Sequence, residues 1–252
     1  MSDDSSVSVH YEDLLADIYT WMAGGAEARL SEARAFFERH GLVPLSSARA
    51  LDLGAGSGFQ SIPLAERGFR VMAVDLSDKL LAELRARARG LSIDTRKRSI
   101  LPLDDYVAGP LDVVVCMGDT LAHLASADEV RGLVAQSARH LVTGGRLVLT
   151  WRDLTRLPEG SRRFLPVRSD AHRILTCFVE GVDDERVRVH DLLHIRDGDG
   201  FRQHVGSYLK LRLSPGRVDD ELRANGLRVV HAAEERGWVT RIAERPRSSR
   251  QP

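Results

Sequence analysis

The sequence predicts an α/β fold, with a doubly wound parallel sheet and an inserted antiparallel β lobe. Over residues 46–152, short apolar runs alternate with amphipathic helical segments, which is typical of parallel strands connected by helices. Over residues 153–213, strand-like segments follow one another without helices between them, which is typical of an antiparallel meander. The chain has 252 residues, 43% of them hydrophobic, and this is enough for one sizeable core.

Residues 1–45 are predicted to form helices that precede the sheet. Residues 1–9 are polar, and apolar side chains then recur at helical intervals from Tyr11 to His40. The pair Gly24-Gly25 divides this segment into two helices. We expect the helices to act as a lid or as an interface, and the oligomeric state stays open.

The elements of the parallel sheet are predicted next. Ser77 has the position of a helix cap, and Ser126-Ala127-Asp128-Glu129 has the pattern of a capping box. Gly68 and the pair Gly144-Gly145 are predicted to end the helices before them. The elements are, in chain order, a strand at 48–53, a helix at 59–67, a strand at 70–74, a helix at 77–89, a weaker strand at 91–95, a strand at 111–117, a helix from 126 and a strand at 146–151.

The lobe and the C-terminal part complete the prediction. Three strands are predicted in the lobe, at 173–181, 186–195 and 201–213. Pro215 then begins a last helix, because proline is favoured at the first helical position. A closing hairpin at 227–233 and 238–243 returns to the sheet. The ligand-binding domain is therefore predicted at residues 46–152 and 214–245, with a polar tail at 246–252.

Three glycines follow the first predicted strand, at Gly54, Gly56 and Gly58. A dinucleotide fingerprint of the form G-x-G-x-x-G would need a glycine where Phe59 stands. The spacing therefore indicates a nucleoside ligand without a pyrophosphate. Asp75 ends the second strand, and a carboxylate there can accept hydrogen bonds from both hydroxyls of a ribose.

The composition disfavours several classes of function. Acidic and basic residues balance at 36 each, whereas nucleic-acid binders usually have a basic excess. The two cysteines, Cys116 and Cys177, have no metal-ligand spacing, so no metal is expected. No signal peptide or membrane-spanning apolar run is visible. We therefore expect a cytoplasmic protein with a small-molecule partner, and neither a nucleic-acid nor a membrane partner.

Four motifs resemble those of class I S-adenosylmethionine-dependent methyltransferases. They are LDLGAGSG, VMAVDLS, LDVVVCMGDTLAHL and LVTGGRLVL, and they match the first, second and fourth motifs and the usual entry to the fifth strand. The resemblance covers residues 10–151 and the closing hairpin. It implies a Rossmann-like sheet of seven strands and S-adenosyl-L-methionine as cofactor.

A finer resemblance concerns CMGDTLAHL and the later TWRDL. These stretches are similar to the glycine N-methyltransferase group, which includes the sarcosine and dimethylglycine enzymes and typically has C-x-G-N-S-x-x-H-L. Asp119 replaces the asparagine of that group. A carboxylate cannot donate an N–H to a substrate carboxylate, so glycine itself is disfavoured as substrate.

The resemblance implies a set of cofactor-binding residues. The glycine loop would hold the methionyl moiety, Asp75 the ribose, and the residues after the third strand the adenine, while the N-terminal helices would cover the cofactor. The set comprises Tyr19, Arg29, Asp52, Gly54, Ala55, Gly56, Gly58, Asp75, Leu76, Ser99, Ile100 and Met117.

The acceptor side is predicted from residues near the ends of the fourth and fifth strands. Asp119 and His123 are the catalytic candidates: Asp119 would attract an ammonium or polarise a hydroxyl, and His123 would act as base or orient the substrate. Trp151 would form a wall, Arg152 would bind a carboxylate and Tyr208 would reach in from the lobe. Three of them have a structural alternative: a turn residue for Asp119, a backbone hydrogen bond for His123, and a surface ion pair for Arg152.

Methyl transfer from a sulfonium is an in-line displacement, in which an enzyme contributes mainly alignment and exclusion of water. An amine needs only to be neutral, whereas an alcohol or phenol usually needs a base. The sequence therefore predicts methyl transfer to a small molecule, with an amine or amino-acid-like nitrogen favoured. The alternatives are an O-methyltransferase with a histidine base, a nucleic-acid methyltransferase, which lacks its N/D-P-P-Y/F motif here, a dehydrogenase, and a non-enzymatic cofactor-binding protein.

Overall fold

The computed structural model describes residues 10–247, without the side chains of Tyr11 and Asp13. The predicted polar segment 1–9 and most of the predicted tail lie outside the described residues. The larger sheet has seven strands: β1 Arg49–Leu53, β2 Arg70–Asp75, β3 Ile93–Lys97, β4 Leu111–Cys116, β5 Leu141–Arg152, β10 Arg228–Glu235 and β11 Trp238–Glu244.

The strand order in this sheet is β10-β11-β5-β4-β1-β2-β3. Strands β1 to β5 are parallel to one another, and β11 is antiparallel to β5 and to β10. The order reverses between β1 and β4, so the chain leaves a crevice at the carboxyl ends of these strands. The predicted α/β fold with a seven-stranded sheet is confirmed.

Six α-helices are described in the same range. They are α1 Tyr19–Met22, α2 Ala26–Arg39, α3 Ser61–Glu66, α4 Asp78–Arg87, α5 Ala127–His140 and α6 Pro215–Ala224, and a π turn and a 3-10 turn at Tyr11–Leu15 and Ala16–Ile18 precede α1. The caps follow the sequence: Ser77, Ser126 and Ser214 each accept a backbone hydrogen bond at the start of a helix. None of these helices is long and apolar enough to span a membrane.

The core lies on both faces of the seven-stranded sheet. Along β4, Val113 and Val115 pack in the cluster that contains Phe37 of α2, whereas Val114 and Cys116 pack in the cluster that contains Leu133 of α5. Every residue of β4 is buried, as expected for a parallel strand covered on both sides. This packing fixes the carboxyl end of β4, where the functional site begins.

The lobe is a second sheet of four strands rather than the predicted three. Its strands are β6 Phe164–Ser169, β7 Arg173–Gly181, β8 Arg186–Asp197 and β9 Gly200–Leu211, in that spatial order. The additional strand β6 is an exposed edge strand with Pro166 and an irregular register, so its sequence lacks an apolar alternation. The covered face of the lobe packs against Leu15 and Ile18 from the N-terminal segment.

The prediction that Gly144-Gly145 ends a helix is wrong. Helix α5 ends at His140, and both glycines belong to β5. The Gly144 amide donates to the Arg245 carbonyl and the Arg245 amide donates to the Gly145 carbonyl, so the glycines extend the ladder beyond β11. A side chain on Gly145 would lie 2.8 Å from the Val142 carbonyl oxygen, which explains why a glycine is needed there.

Candidate functional site

A cavity of about 520 Å³ opens at the carboxyl ends of β1, β2 and β4. It lies where the strand order reverses, which is where open α/β sheets bind their ligands. Its lining comes from the N-terminal segment, the glycine loop, the ends of β2 and β4 and the turn after β3. The lining residues are Tyr19, Gly54, Gly56, Asp75, Leu76, Ser77, Leu80, Ser99, Ile100, Leu101, Pro102, Met117, Gly118, Asp119, Thr120, His123, Leu124 and Glu129.

The glycine loop turns back over the end of β2. The amides of Gly54 and Ala55 both donate to the Val74 carbonyl, at 2.9 and 3.0 Å. Gly54 has a φ of +74°, and a Cβ there would lie 2.4 Å from the side chain of Thr120. Only glycine combines this backbone conformation with such a close approach.

Asp75 is held at the mouth of the loop by two backbone amides. Gly56 donates to Oδ2 and Ser77 donates to Oδ1, each at 2.8 Å. Burial raises the pKa of Asp75, although these hydrogen bonds oppose the shift. Each carboxylate oxygen can accept a second hydrogen bond, so Asp75 retains the capacity to bind two hydroxyls.

Tyr19 of α1 covers the loop from the N-terminal side. Its ring stacks on Phe59 with 5.9 Å between centroids, and a Cβ on Gly56 would lie 3.3 Å from it. Burial, together with the charge of Asp75, raises the pKa of Tyr19 to about 12. Tyr19 is therefore a neutral phenol and a hydrogen-bond donor at neutral pH.

The other residues of the predicted cofactor set divide into two groups. Leu76, Ser99, Ile100 and Met117 line the cavity together with Gly54, Gly56, Asp75 and Tyr19. Asp52, Ala55, Gly58 and Arg29 are not among the lining residues. Their roles toward a cofactor stay predictions, and the structure shows what they contact.

Asp52 lies beneath the loop and is 1% exposed. The Ser61 hydroxyl donates to its Oδ2 at 2.6 Å, and burial raises the pKa of Asp52 to about 7. Gly58 packs on α4, since a Cβ there would lie 2.2 Å from Leu84. The Arg29 guanidinium lies outside the cavity and donates to the Ala23 carbonyl and to Glu32.

Asp119 and His123 both line the cavity, and their side chains interact electrostatically. Asp119 forms a buried ion pair with Lys210 of β9, and its other oxygen accepts from the Arg152 amide at 3.1 Å. Burial alone would raise the pKa of Asp119, but the charge of Lys210 and the hydrogen bonds from Lys210 and the Arg152 amide outweigh it and the pKa is lowered. Asp119 is therefore an ionised carboxylate whose charge is already balanced.

His123 is a neutral histidine beside this ion pair. Burial, followed by the charge of Lys210, lowers the pKa of His123 to about 3. Its ring lies 5.2 Å from the ring of Tyr208, which in turn lies 4.8 Å from the ring of His10. At neutral pH one ring nitrogen of His123 is an acceptor and the other a donor.

The three predicted substrate-binding residues are placed differently from the prediction. Trp151 is completely buried and its indole N–H donates to the Leu213 carbonyl at 2.9 Å, so it does not form a wall of this cavity. The Arg152 guanidinium lies on the exterior, 4.5 Å from the centre of the Trp238 ring. Tyr208 is 6% exposed and contacts His123 without lining the cavity.

Sequence reasoning missed Lys210, Thr120 and His10. Lys210 follows Tyr208 by two residues on a strand, so both side chains lie on one face, and a lysine between leucines at such a position is a signal that could have been read. His10 contacts Asp191 at 2.8 Å, and Cys177 donates to the same carboxylate at 2.8 Å. Cys177 therefore belongs to a polar network and also packs against the core of the lobe. Among residues 10–247, no group of three or more metal-ligating side chains is found.

Comparison with known proteins agrees with this geometry. Residues 50–145 match the model of a methyltransferase domain. The chain is 37% identical over 122 residues to a ubiquinone biosynthesis O-methyltransferase from Caulobacter sp. (strain K31), covering 47% of each chain. It is 35% identical over 112 residues to a glycine/sarcosine N-methyltransferase from Parasynechococcus marenigrum (strain WH8102), covering 44% of this chain and 40% of that one.

Among solved structures, the fold is similar to S-adenosylmethionine-bound CalS10, an amino pentose methyltransferase from Micromonospora echinaspora. The TM-score is 0.70 at 24% identity, covering 86% of this chain and 91% of that one. The chain spans about half the length of the curated relatives that it matches. Residues 50–145 therefore match a methyltransferase domain, and the chain shares its fold with an S-adenosylmethionine-bound methyltransferase.

Proposed function

We propose that this protein transfers the methyl group of S-adenosylmethionine to an amine nitrogen of a small molecule. The domain match and the solved relative support a methyltransferase that uses this cofactor. The observation that carries the choice of nitrogen is the buried Asp119–Lys210 ion pair beside His123.

The cavity offers the groups that the cofactor requires. The Asp75 carboxylate would accept hydrogen bonds from the ribose, and Ser99 and Ile100 would flank the adenine. The backbone of the glycine loop would approach the methionyl part, because Gly54 and Gly56 present no Cβ there. Tyr19 would cover the loop and keep water out. The bound cofactor supplies a methyl group on a positively charged sulfur.

The acceptor is assigned to the end of the cavity lined by Asp119, Thr120 and His123. Asp119 is ionised and paired with Lys210, so it adds no net charge to this end. His123, with a pKa of about 3, is a weak base that stays neutral. An alcohol needs a stronger base than this, whereas a neutral amine needs only to be aligned.

The chain contributes binding, orientation and exclusion of water to the reaction. The acceptor nitrogen enters neutral and its lone pair forms the new C–N bond as the C–S bond breaks, with the electron pair leaving on sulfur. His123 would accept a hydrogen bond from the acceptor N–H and fix its direction. The proton that the product ammonium carries is lost to solvent after transfer.

The match to a ubiquinone biosynthesis O-methyltransferase favours a second candidate, transfer to a hydroxyl with His123 as base.

Matched acceptors distinguish transfer to nitrogen from transfer to oxygen. Purified protein is incubated with cofactor carrying a labelled methyl group and with pairs that differ only in nitrogen or oxygen, such as amino and hydroxy acids and amino sugars and their parent sugars. The proposal expects a labelled product from at least one amine and none from its hydroxyl partner. Turnover of hydroxyl compounds alone would overturn it.

A further inference from the structure

A polar cluster outside the cavity joins three separate segments at Glu83 of α4. Oxygen Oε2 of Glu83 accepts from the hydroxyl of Thr20 at 2.7 Å, the hydroxyl of Ser57 at 3.0 Å and the guanidinium of Arg87 at 2.9 Å. A hydrogen bond to a charged group is stronger than one between neutral groups. The three contacts therefore form a firm connection rather than a surface ion pair.

Further contacts join the other members of the cluster to one another. Arg87 also donates to Thr20 Oγ1 at 3.2 Å and to the Ser57 carbonyl at 3.3 Å, and the Thr20 hydroxyl lies 3.5 Å from that of Ser57. Ser57 is completely buried between the two loop glycines Gly56 and Gly58. Any displacement of α1 from the loop would break several of these contacts together.

Two neighbours of this cluster face the cavity. Thr20 is adjacent in sequence to Tyr19, whose ring lies over Gly56, and Ser57 is adjacent to Gly56, whose amide holds Asp75. We propose that Glu83 is a positioning residue that fixes α1 and the glycine loop to each other, so that both close on the cofactor as one unit. This inference rests on the assignment of Tyr19, Gly56 and Asp75 to the cofactor site under the proposed function.

Because Thr20 and Ser57 share Glu83 as a partner, the effects of substituting them on cofactor affinity should depend on each other. Thr20→Val removes the donor from α1 with little change of volume, and Ser57→Ala removes the donor from the loop. If both act through Glu83, the second substitution removes a connection that the first has already broken. The two effects on cofactor affinity are then non-additive, as for residues of one network.

The test is calorimetric titration of the full chain with S-adenosylhomocysteine, the demethylated cofactor. We expect Thr20→Val and Ser57→Ala each to weaken binding about tenfold, and Thr20→Val/Ser57→Ala to weaken it by no more than about tenfold as well. Thr95→Val is the matched control, because Thr95 also bonds an arginine, Arg85 at 3.2 Å, but lies on β3 away from α1. It should bind as the unsubstituted protein does.

Two further measurements separate positioning from a merely structural role. With an acceptor identified by the labelling experiment, Thr20→Val should raise the KM for the cofactor and leave kcat within about twofold. Glu83→Gln keeps an acceptor oxygen but loses the charge, so it should restore part of the affinity that Glu83→Ala loses. A variant that does not fold would show this in its thermal unfolding midpoint, and the fold-preserving Thr20→Val then decides.

Unchanged affinity in Thr20→Val, or single effects that multiply to about a hundredfold in the double variant, would overturn the inference. Failure of the amine assignment is distinguishable from both results. It would leave cofactor affinity and its response to Thr20 and Glu83 intact while no nitrogen acceptor is methylated.

Discussion

Lys210 and Asp119 form a buried ion pair although 91 positions of sequence separate them. Lys210 belongs to the lobe and Asp119 to the turn after β4, so the pair joins the lobe to the end of the cavity assigned to the acceptor. It balances the charge of Asp119 and contributes to the low pKa of His123.

Lys210→Met leaves the Asp119 carboxylate buried without its counter-charge. Removing one partner of a buried pair is costly, so we expect the free energy of unfolding at pH 7 to fall by about 3 kcal/mol. Lys97→Met is the control, since Lys97 pairs with Asp78 on the surface and should cost less than about 1 kcal/mol. Chemical denaturation measures both, and equal losses in the two variants would contradict a buried pair. Lys210→Met/Asp119→Asn should recover part of the loss.

His123 should make the stability of the folded protein depend on pH in a definite direction. Its pKa of about 3 in the folded protein lies below the ordinary value of 6.5, so the unfolded chain binds a proton that the folded chain does not. Stability contributed by the neutral ring is therefore complete above about pH 6.5 and decreases as the pH falls toward 3. His123→Gln should flatten this decrease, whereas His204→Gln, at an exposed lobe position, should not. Identical slopes in the three proteins would refute the assignment.

The pH dependence of the methyl-transfer rate should also reflect the low pKa of His123, which makes it a weak base. We expect kcat/KM between pH 5 and 9 to rise with deprotonation of the acceptor amine, and to shift when an acceptor with a different pKa is used. An inflection near pH 6.5 that disappears in His123→Gln would instead indicate a histidine base.

The stability contributed by Asp52 changes with pH in the opposite direction to that contributed by His123. Burial raises its pKa to about 7, so its protonated form stabilises the fold below the ordinary carboxyl pKa, and this contribution is lost as the pH rises through about 7. Asp52→Asn should therefore gain stability over the unsubstituted protein as the pH rises, by up to about 1.4 kcal/mol per pH unit within this window. Asp128→Asn, at an exposed position, serves as the control in denaturation series at pH 5 and pH 8. A gain at pH 5 equal to that at pH 8 would show that Asp52 does not titrate there.

A comparison of Gly54→Ala with Gly90→Ala separates the cost of steric conflict from the cost of backbone strain. The new Cβ would lie 2.4 Å from Thr120, at a φ of +74°, and we expect a loss of about 2–4 kcal/mol in stability. Gly90→Ala shares the positive φ but has nothing within 4 Å, so it measures the strain alone. Gly54→Ala/Thr120→Ala should recover the steric part, as measured by urea denaturation. No recovery would show that Thr120 is not the conflicting group.

Asp75→Ala tests the ribose contact. Loss of charge-assisted hydrogen bonds should weaken cofactor binding by about 1–3 kcal/mol in calorimetry. Asp78→Ala, an exposed carboxylate three residues later that pairs with Lys97, should leave the affinity unchanged. Equal affinities in both variants would count against the ribose role of Asp75.

The parts of the site that could be predicted from the sequence are those whose residues lie next to the ends of predicted strands. Gly54 and Gly56 follow β1 and Asp75 ends β2. Parallel strands bring their carboxyl ends to one edge, so the proximity of these residues follows from the fold class. The Asp119–Lys210 pair depends on how the lobe docks, which no local pattern encodes.

The sequence of β5 indicates which of its side chains face the core. Leu147, Leu149 and Trp151 share one face of the strand and pack in a single core cluster, so the period of two already assigned Trp151 to the core. The same period placed Arg152 on the opposite face. The edge strand β6 had no comparable signal, because an exposed strand with a proline lacks the alternation that marks a half-buried one.

A structure with S-adenosylhomocysteine bound would show the direction in which the cavity holds its cofactor. We expect both ribose hydroxyls within hydrogen-bond distance of Asp75, the adenine beside Ser99 and Ile100, and the sulfur facing Asp119 and His123. A ribose bound away from Asp75, or a sulfur facing away from the Asp119 end, would contradict it.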